Sequence, residues 1–358
     1  MIDFRYHLVS IVAVFLALAI GIVLGSTELQ GHTLDVLQAS SNSLRSQLSA
    51  ASAQRDSYQA QSNAAEQYLQ TAEPTLLAGR LTGQRVVLIT EPGAESNVIS
   101  GVKQAAITAG ATVTGEIALQ PRFNDISGAT QSSLAAINGS IASSDGVTLT
   151  PGTAAQTTYQ QQAAQLIATA ILDKSLPRSQ SGTQNKSQNQ SGLSAASAQT
   201  LLSAYVQMGF LTVSGKPAGR ATLAVLVTPQ NPPASGQNDP VNQVLLAIAP
   251  QFATASAATV AVGSAAGSAQ AGSGISVLRA SSASAQVSTV DNADTTLGQI
   301  SAAEALAAQL AGKKPNSYGV SGASAVSPDP LPSALPTATP STTTHPRHTG
   351  KSQETKKK

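Results

Sequence analysis

Residues 85–119, RVVLITEPGAESNVISGVKQAAITAGATVTGEIAL, predict the fold of the main part of the chain. The run Arg85–Thr90 is short and rich in β-branched residues, EPGAES reads as a turn, and residues 96–109 form an amphipathic helix that ends at Gly110. A second strand follows at ATVTGEIAL. Strand, helix and strand in this order indicate a βαβ unit with a buried parallel strand.

A second unit of the same kind is predicted further along the chain. It begins with the strand ATLAVLVTP at residues 221–229, continues through a helix at about 240–252, and ends with the strand ATVAVG at 258–263. The segment AQVSTVDNADTTLGQISAAEALAAQLAG then reads as strand, acidic turn and helix. Between the two units we expect helices at about 130–142, 152–173 and 194–208, the last leading into the strand GFLTVSG.

Alternating strands and helices predict a doubly wound, Rossmann-like α/β domain over residues 79–322. The stretch at about 177–193 within it has almost no apolar residues, so we expect a mobile insertion there. Residues 323–358 are rich in Pro, Ser and Thr and end in lysines, which predicts a disordered basic tail.

The N-terminal residues 1–26 are predicted to be a short cytoplasmic segment followed by a transmembrane anchor. Residues 8–24 are apolar or small throughout, a run just long enough for a tilted span, and no A-x-A-like cleavage site follows it. A cleaved secretory signal is the alternative. Arg5 precedes the span whereas Glu28 and Asp35 follow it, so we expect the N-terminus in the cytoplasm and the body outside.

Residues 27–78 are predicted to form a coiled-coil stalk. Positions that recur every seven residues form what we call the seam, which favours a left-handed supercoil with a partner helix. The partner helix would come from a second copy or from another protein, and the alternative is a solvated stalk without a partner. We expect the helix to end at Glu73-Pro74, because the residue before proline is disfavoured in α conformation. The seam comprises Leu34, Leu37, Ser41, Leu44, Leu48, Ala51, Arg55, Tyr58, Ser62, Ala65, Leu69, Ala72 and Leu76.

Composition excludes several classes of function. The chain has 358 residues and a formal net charge of +2, and its basic residues form no stripe with aromatics, so nucleic acid is not an expected partner. There is no cysteine, which excludes disulfides and thiolate metal sites. No phosphate loop of the G-x-x-x-x-G-K-[ST] type and no G-x-G-x-x-G motif occurs.

One polar cluster stands out in the domain. Asp291, Asn292 and Asp294 follow a predicted strand and precede a predicted helix, which is where α/β sheets often place ligands and also where Asp and Asn cap helices. Both interpretations stay open at this point. With no nucleophile and base at recognisable spacing, we predict no catalytic, cofactor-binding or metal-binding residues and a protein that is not an enzyme.

Residues that could bind a soft metal ion are few and scattered. Met208 is expected in the core, and no pair of histidines lies at helical ligand spacing in the domain. The tail sequence HPRH could chelate copper weakly, but it fits tail composition better. The four histidines are His7, His32, His345 and His348.

Three stretches together resemble a known family. They are FRYHLVSIVAVFLALAIGIVLGS with the heptad stalk behind it, VSTVDNADTTLGQISAAEALAAQLAG, and the following YGV. They are similar to the actinobacterial copper transporter family of the MctB type, in the same order from residue 1 to about 322. The resemblance implies a non-enzymatic envelope protein in copper homeostasis or efflux, with copper as the transported or sensed ion and no cofactor. It also implies an alternative, a coiled-coil scaffold that partners another envelope protein in cell division or wall remodelling.

Overall fold

The computed structural model describes residues 4–152, 154–174, 193–231, 233 and 236–328. These residues form two compact units, which meet between Tyr68 and Leu69. Most of the predicted insertion at 177–193 and the tail beyond residue 328 lie outside the described residues. Ala325 still belongs to the folded part, because it bridges to Tyr318.

The described part of the first unit belongs to one helix, which continues into the second unit. Helix α1 runs from Phe4 to Leu77 without interruption, so the predicted anchor and stalk are parts of one helix. The predicted end at Glu73-Pro74 is wrong, because the helix passes through Pro74 and ends three residues later. Proline removes one backbone donor and strains one turn. Leu77 is fully buried in the second unit's core and Leu69 packs against it, which offsets that cost.

The second unit is a seven-stranded mixed sheet covered by helices. Its strand order is β3-β2-β1-β4-β5-β6-β7, and every neighbouring pair is parallel except β2 and β3. The elements are β1 Arg85–Thr90, α2 Ser96–Thr108, β2 Thr112–Leu119, α3 Gly128–Asp145, α4 Thr158–Ile171, α5 Ala195–Gln207, β3 Leu211–Gly215, β4 Leu223–Val227, α6 Pro240–Ala255, β5 Ala258–Val262, α7 Ala265–Ser268, α8 Gly274–Arg279, β6 Ser288–Val290, α9 Thr296–Leu310 and β7 Ser317–Tyr318.

The predicted α/β class is confirmed, with one strand that makes the sheet mixed. Strand β3 is antiparallel, because the chain enters it at Leu211, opposite Leu119, the last residue of β2, and then runs back along that strand. The helix expected over 152–173 begins only at Thr158. Strand β1 has the bounds that its sequence predicts.

Alternate residues of the central strands face two separate cores. Val87 and Ile89 pack in a cluster with residues of α3 to α6 and α8, whereas Val86 and Leu88 pack in a second cluster with residues of α2 and α9. Burial on both faces explains why these strands are continuous apolar runs. Helices therefore cover both faces of the sheet, and polar residues lie at the ends of its strands.

The order of the strands reverses at the centre of the sheet. From β1 the chain moves outward to β2 and β3, and from β4 it moves the other way through β5, β6 and β7. Strands β1 and β4 are adjacent and parallel. In α/β sheets, ligands bind beyond the carboxyl ends of the strands at such a reversal. The carboxyl ends of the parallel strands are therefore the first place to look for a site.

Candidate functional site

The acidic turn predicted from the sequence lies at the carboxyl end of β6, and its first residue is engaged inside the protein. Asp291 is fully buried and its Oδ2 lies 2.9 Å from Nη1 of Arg279. Its carboxylate also accepts the backbone N–H of Val320 at 2.7 Å and of Ser321 at 2.9 Å. With this number of donors already bound, Asp291 is a structural anchor for the segment after β7.

Arg279 completes this anchor from the end of α8. Its guanidinium donates to the carbonyl oxygens of Tyr318 at 2.8 Å and Ser321 at 2.6 Å, as well as to Asp291. Gly319 has a φ of +129°, and a side chain there would collide with the Asp291 carboxylate. We call Asp291, Arg279 and residues 318–321 the clasp. It ties the segment after β7 to β6 and α8.

The other two residues of the turn also serve local structure, and neither caps α9. Asp294 Oδ1 accepts the N–H of Ala265 at 2.8 Å, at the start of α7. The N-cap of α9 is Thr295, whose side chain accepts the N–H of Gly298 at 3.2 Å. The amide of Asn292 donates weakly to Thr295, and its buried Oδ1 has no hydrogen-bond partner among the residues that the structure describes. The helix-cap interpretation is therefore wrong for α9, whose cap is Thr295.

A second acid at the same edge of the sheet was not singled out from the sequence. Glu91 follows β1 directly, and its backbone N–H donates to the carbonyl of Val227 at 3.0 Å, so it lies at the reversal of strand order. The residue is 4% exposed, and neither carboxylate oxygen has a hydrogen-bond partner within the described part of the chain. Burial raises the pKa of Glu91 to about 8.

The loops around Glu91 are held together by backbone contacts. The N–H of Gln230 donates to the carbonyl of Gly93 at 3.2 Å, which joins the loop after β1 to the loop after β4. Gly93 has a φ of +86°, a left-handed conformation that glycine adopts without a steric penalty. On the neighbouring strand, Glu116 accepts the hydroxyl of Thr90 at 3.2 Å. The sequence offers one signal for this site, a single acid directly after an apolar strand at the first βα turn.

The described residues provide no recognisable metal centre. Within them there is no group of three or more His, Cys, Asp or Glu side chains that could hold an ion. Met208 is 38% exposed where a core position was expected, because it is the C-cap of α5, where the chain leaves the helix. His7 is exposed on α1, and His345 and His348 lie outside the described residues. A copper site built from this chain's described side chains is therefore not evident.

Helix α1 carries two exposed apolar surfaces. Its segment Phe4–Gly25, 22 residues long, is apolar enough to cross a membrane, and it is the one such helix among the described residues. Further along, the seam residues Leu37, Leu44, Leu48 and Tyr58 are all exposed. Arg55 pairs at 2.7 Å with its neighbour Asp56, and both side chains are exposed to solvent. Exposed large apolar side chains at heptad spacing are typical of a helix that packs against another helix.

Comparison with known proteins gives consistent matches along most of the chain. Residues 1–328 match the family described as "Copper transport outer membrane protein, MctB". Relatives named "Copper transporter MctB" from Mycobacterium tuberculosis and Mycobacterium bovis are each 29% identical over 326 residues, and one from Mycobacterium leprae is 29% identical over 332 residues. Each alignment covers 89% of this chain and 96% of the relative.

Proposed function

The chain belongs to the MctB family, and on that premise we propose that it is a membrane-anchored envelope protein of copper homeostasis that works without catalysis of its own. The observation that carries this proposal is the match over residues 1–328, which includes the apolar N-terminal helix as well as the α/β domain. Relatives covered over 96% of their length are named copper transporters. Copper would be the cargo or the sensed ion.

The anchor in this proposal is the segment Phe4–Gly25. At 1.5 Å per residue its 22 residues reach about 33 Å, enough for the hydrocarbon core of a bilayer. Its side chains are exposed along its whole length, as expected for a segment that lipid would cover. Arg5 on the N-terminal side supports a cytoplasmic N-terminus and an extracytoplasmic domain.

In this proposal, more than one chain takes part in handling copper. One span cannot line a helical pore, and the described residues offer no set of three ligands for the ion. We therefore propose that copper passes through an assembly, made from several copies or from this chain and a partner.

Helices on both faces and the strand order around β1 and β4 support a Rossmann-like domain.

The experiment that tests this function measures copper in cells that lack the protein. We expect the deletion strain to accumulate copper and to stop growing at lower external copper than the parent strain. Expression of the full chain should restore both properties. A variant whose residues 4–25 are replaced by a cleavable signal peptide should not restore them, although its domain is exported. Unchanged copper content and sensitivity in the deletion strain would refute the proposal.

A scaffold role is the second candidate, and the exposed seam favours it. In this role α1 would form a coiled coil with a second envelope protein or another copy. The double variant Leu44→Asp with Leu48→Asp should abolish crosslinking of the stalk in intact cells. The matched control is Ser46→Asp with Ala53→Asp, on the opposite side of the helix. If both double variants crosslink like the parent protein, the seam has no partner and the scaffold role fails.

A further inference from the structure

The described residues contain three acids whose side chains are buried, and two of them have a counterion. Asp291 lies 2.9 Å from Arg279, and Glu304 lies 2.9 Å from Arg80. Glu91 is the third, and both of its oxygens are without a partner. Burying an acid without a counterion or hydrogen bonds is costly, so such groups in folded proteins call for an explanation.

The position of Glu91 suggests that a ligand binds beside it. It lies at the carboxyl end of β1, beside β4, where the strand order reverses and where sheets of this kind bind ligands. Other side chains at the same edge have buried oxygens without partners. They are Asn124 Oδ1 beyond β2, Ser268 Oγ beyond β5 and Asn292 Oδ1 beyond β6.

The chemistry of these unpartnered atoms restricts the kind of ligand. Amide oxygens only accept hydrogen bonds, and so does the Glu91 carboxylate once it is ionised, so a ligand that binds the ionised form has to supply donors. A phosphate group would bring more acceptors and negative charge next to Glu91, and the chain has no phosphate-binding motif. A metal ion needs more ligands than the described residues bring together. An ammonium group brings three donors and a positive charge.

We propose that the carboxyl edge of the sheet between β1 and β4 binds a small ligand with a primary ammonium group, and that Glu91 is the counterion of that group. This site goes beyond the proposed role in copper homeostasis and does not depend on it. Because burial raises the pKa of Glu91 to about 8, the free carboxyl is mostly protonated at neutral pH. When the ammonium binds, the carboxyl ionises, the ligand keeps its three N–H bonds, and the proton passes to solvent.

The test follows the Glu91 carboxyl directly in the full chain, purified in detergent micelles. The protein is labelled with ¹³C at glutamate Cδ, and ethanolamine is the probe, with ethylene glycol as a neutral molecule of matched size. At neutral pH, ethanolamine should move one Cδ resonance from the protonated toward the ionised position and release about 0.9 proton per chain. Ethylene glycol should do neither. The responding resonance should be missing from Glu91→Gln and retained in Glu304→Gln.

Two results would overturn the proposal. If the Glu91 resonance responds to pH but not to ethanolamine at matched ionic strength, buried water or nothing at all occupies this edge. If ethanolamine and ethylene glycol have the same effect, the ligand class is wrong, since the ammonium group makes no difference. The measurement is made on the unaltered protein, and the variant serves to assign the resonance, so a folding defect in Glu91→Gln would not obscure the outcome.

Discussion

Replacing Glu91 with glutamine is expected to stabilise the folded protein at neutral pH. The glutamine side chain has nearly the same shape as a protonated glutamate but cannot ionise. In the parent protein, burial raises the pKa of Glu91 from an ordinary value of 4.5 to about 8. Folding at neutral pH therefore forces this carboxyl to take up a proton, and the variant avoids that cost.

The size and sign of the effect follow from the two pKa values. Between pH 4.5 and 8 the folded state binds more protons at this site than the unfolded state, so the stability of the parent falls as pH rises through this range. At pH 7 the carboxyl in the unfolded state is about 2.5 pH units above its pKa of 4.5, whereas the folded state keeps it mostly protonated. At about 1.4 kcal/mol per unit, the proton uptake costs about 3 kcal/mol of stability. Glu91→Gln should recover most of this cost, and the two proteins should converge below pH 4.5.

Hydrogen exchange at the backbone amides of β1, measured by mass spectrometry at several pH values, is a suitable assay. Comparison of the variant with the parent at each pH removes the intrinsic pH dependence of exchange. Glu116→Gln is the matched control, because Glu116 is half-buried on the neighbouring strand and accepts a hydrogen bond from Thr90. If the difference in stability between Glu91→Gln and the parent stays constant from pH 5 to 8, the raised pKa of Glu91 is refuted.

Urea unfolding of further variants tests the clasp and the ion pair between Arg80 and Glu304. Asp291→Asn should lower the free energy of unfolding by about 3–5 kcal/mol, because it leaves Arg279 without a counterion, and adding Arg279→Met should recover part of the loss. Arg80→Ala should cost about 2–3 kcal/mol at neutral pH and less in acid, because burial already raises the pKa of Glu304 and loss of the guanidinium raises it further. Gly319→Ala should cost more than about 1 kcal/mol through its φ of +129° and the clash with Asp291, and an unchanged midpoint would contradict the close contact.

Local patterns were sufficient to predict most of the second unit. The run Arg85–Thr90 and the helix that follows it have hydrophobic periods that match the strand and helix they form. The direction of β3 could not be read from its sequence, because it depends on which end of the sheet α5 reaches. The effect of Pro74 was also misjudged, since the burial of Leu77 is a tertiary contact that propensity does not include.

The site was less predictable than the fold. The acidic turn at Asp291 was visible, but its partner Arg279 is 12 residues away in sequence and the backbone groups it binds are 29 and 30 residues away. Only the packing of α8 and β7 around β6 brings these groups together. Glu91 was overlooked for the opposite reason. A single acid after a strand is common in sequences, and what distinguishes this one is that no counterion among the described residues reaches it in three dimensions.

The clasp has a consequence for how the chain matures. Synthesis proceeds from the N-terminus, so α8 and β6 are made before residues 318–321. Until that last segment arrives, the Asp291 carboxylate lacks two of its donors and Arg279 lacks two of its acceptors. A product truncated before residue 318 would therefore keep this end of the sheet open to proteases. Incomplete copies should accordingly be degraded faster than complete ones.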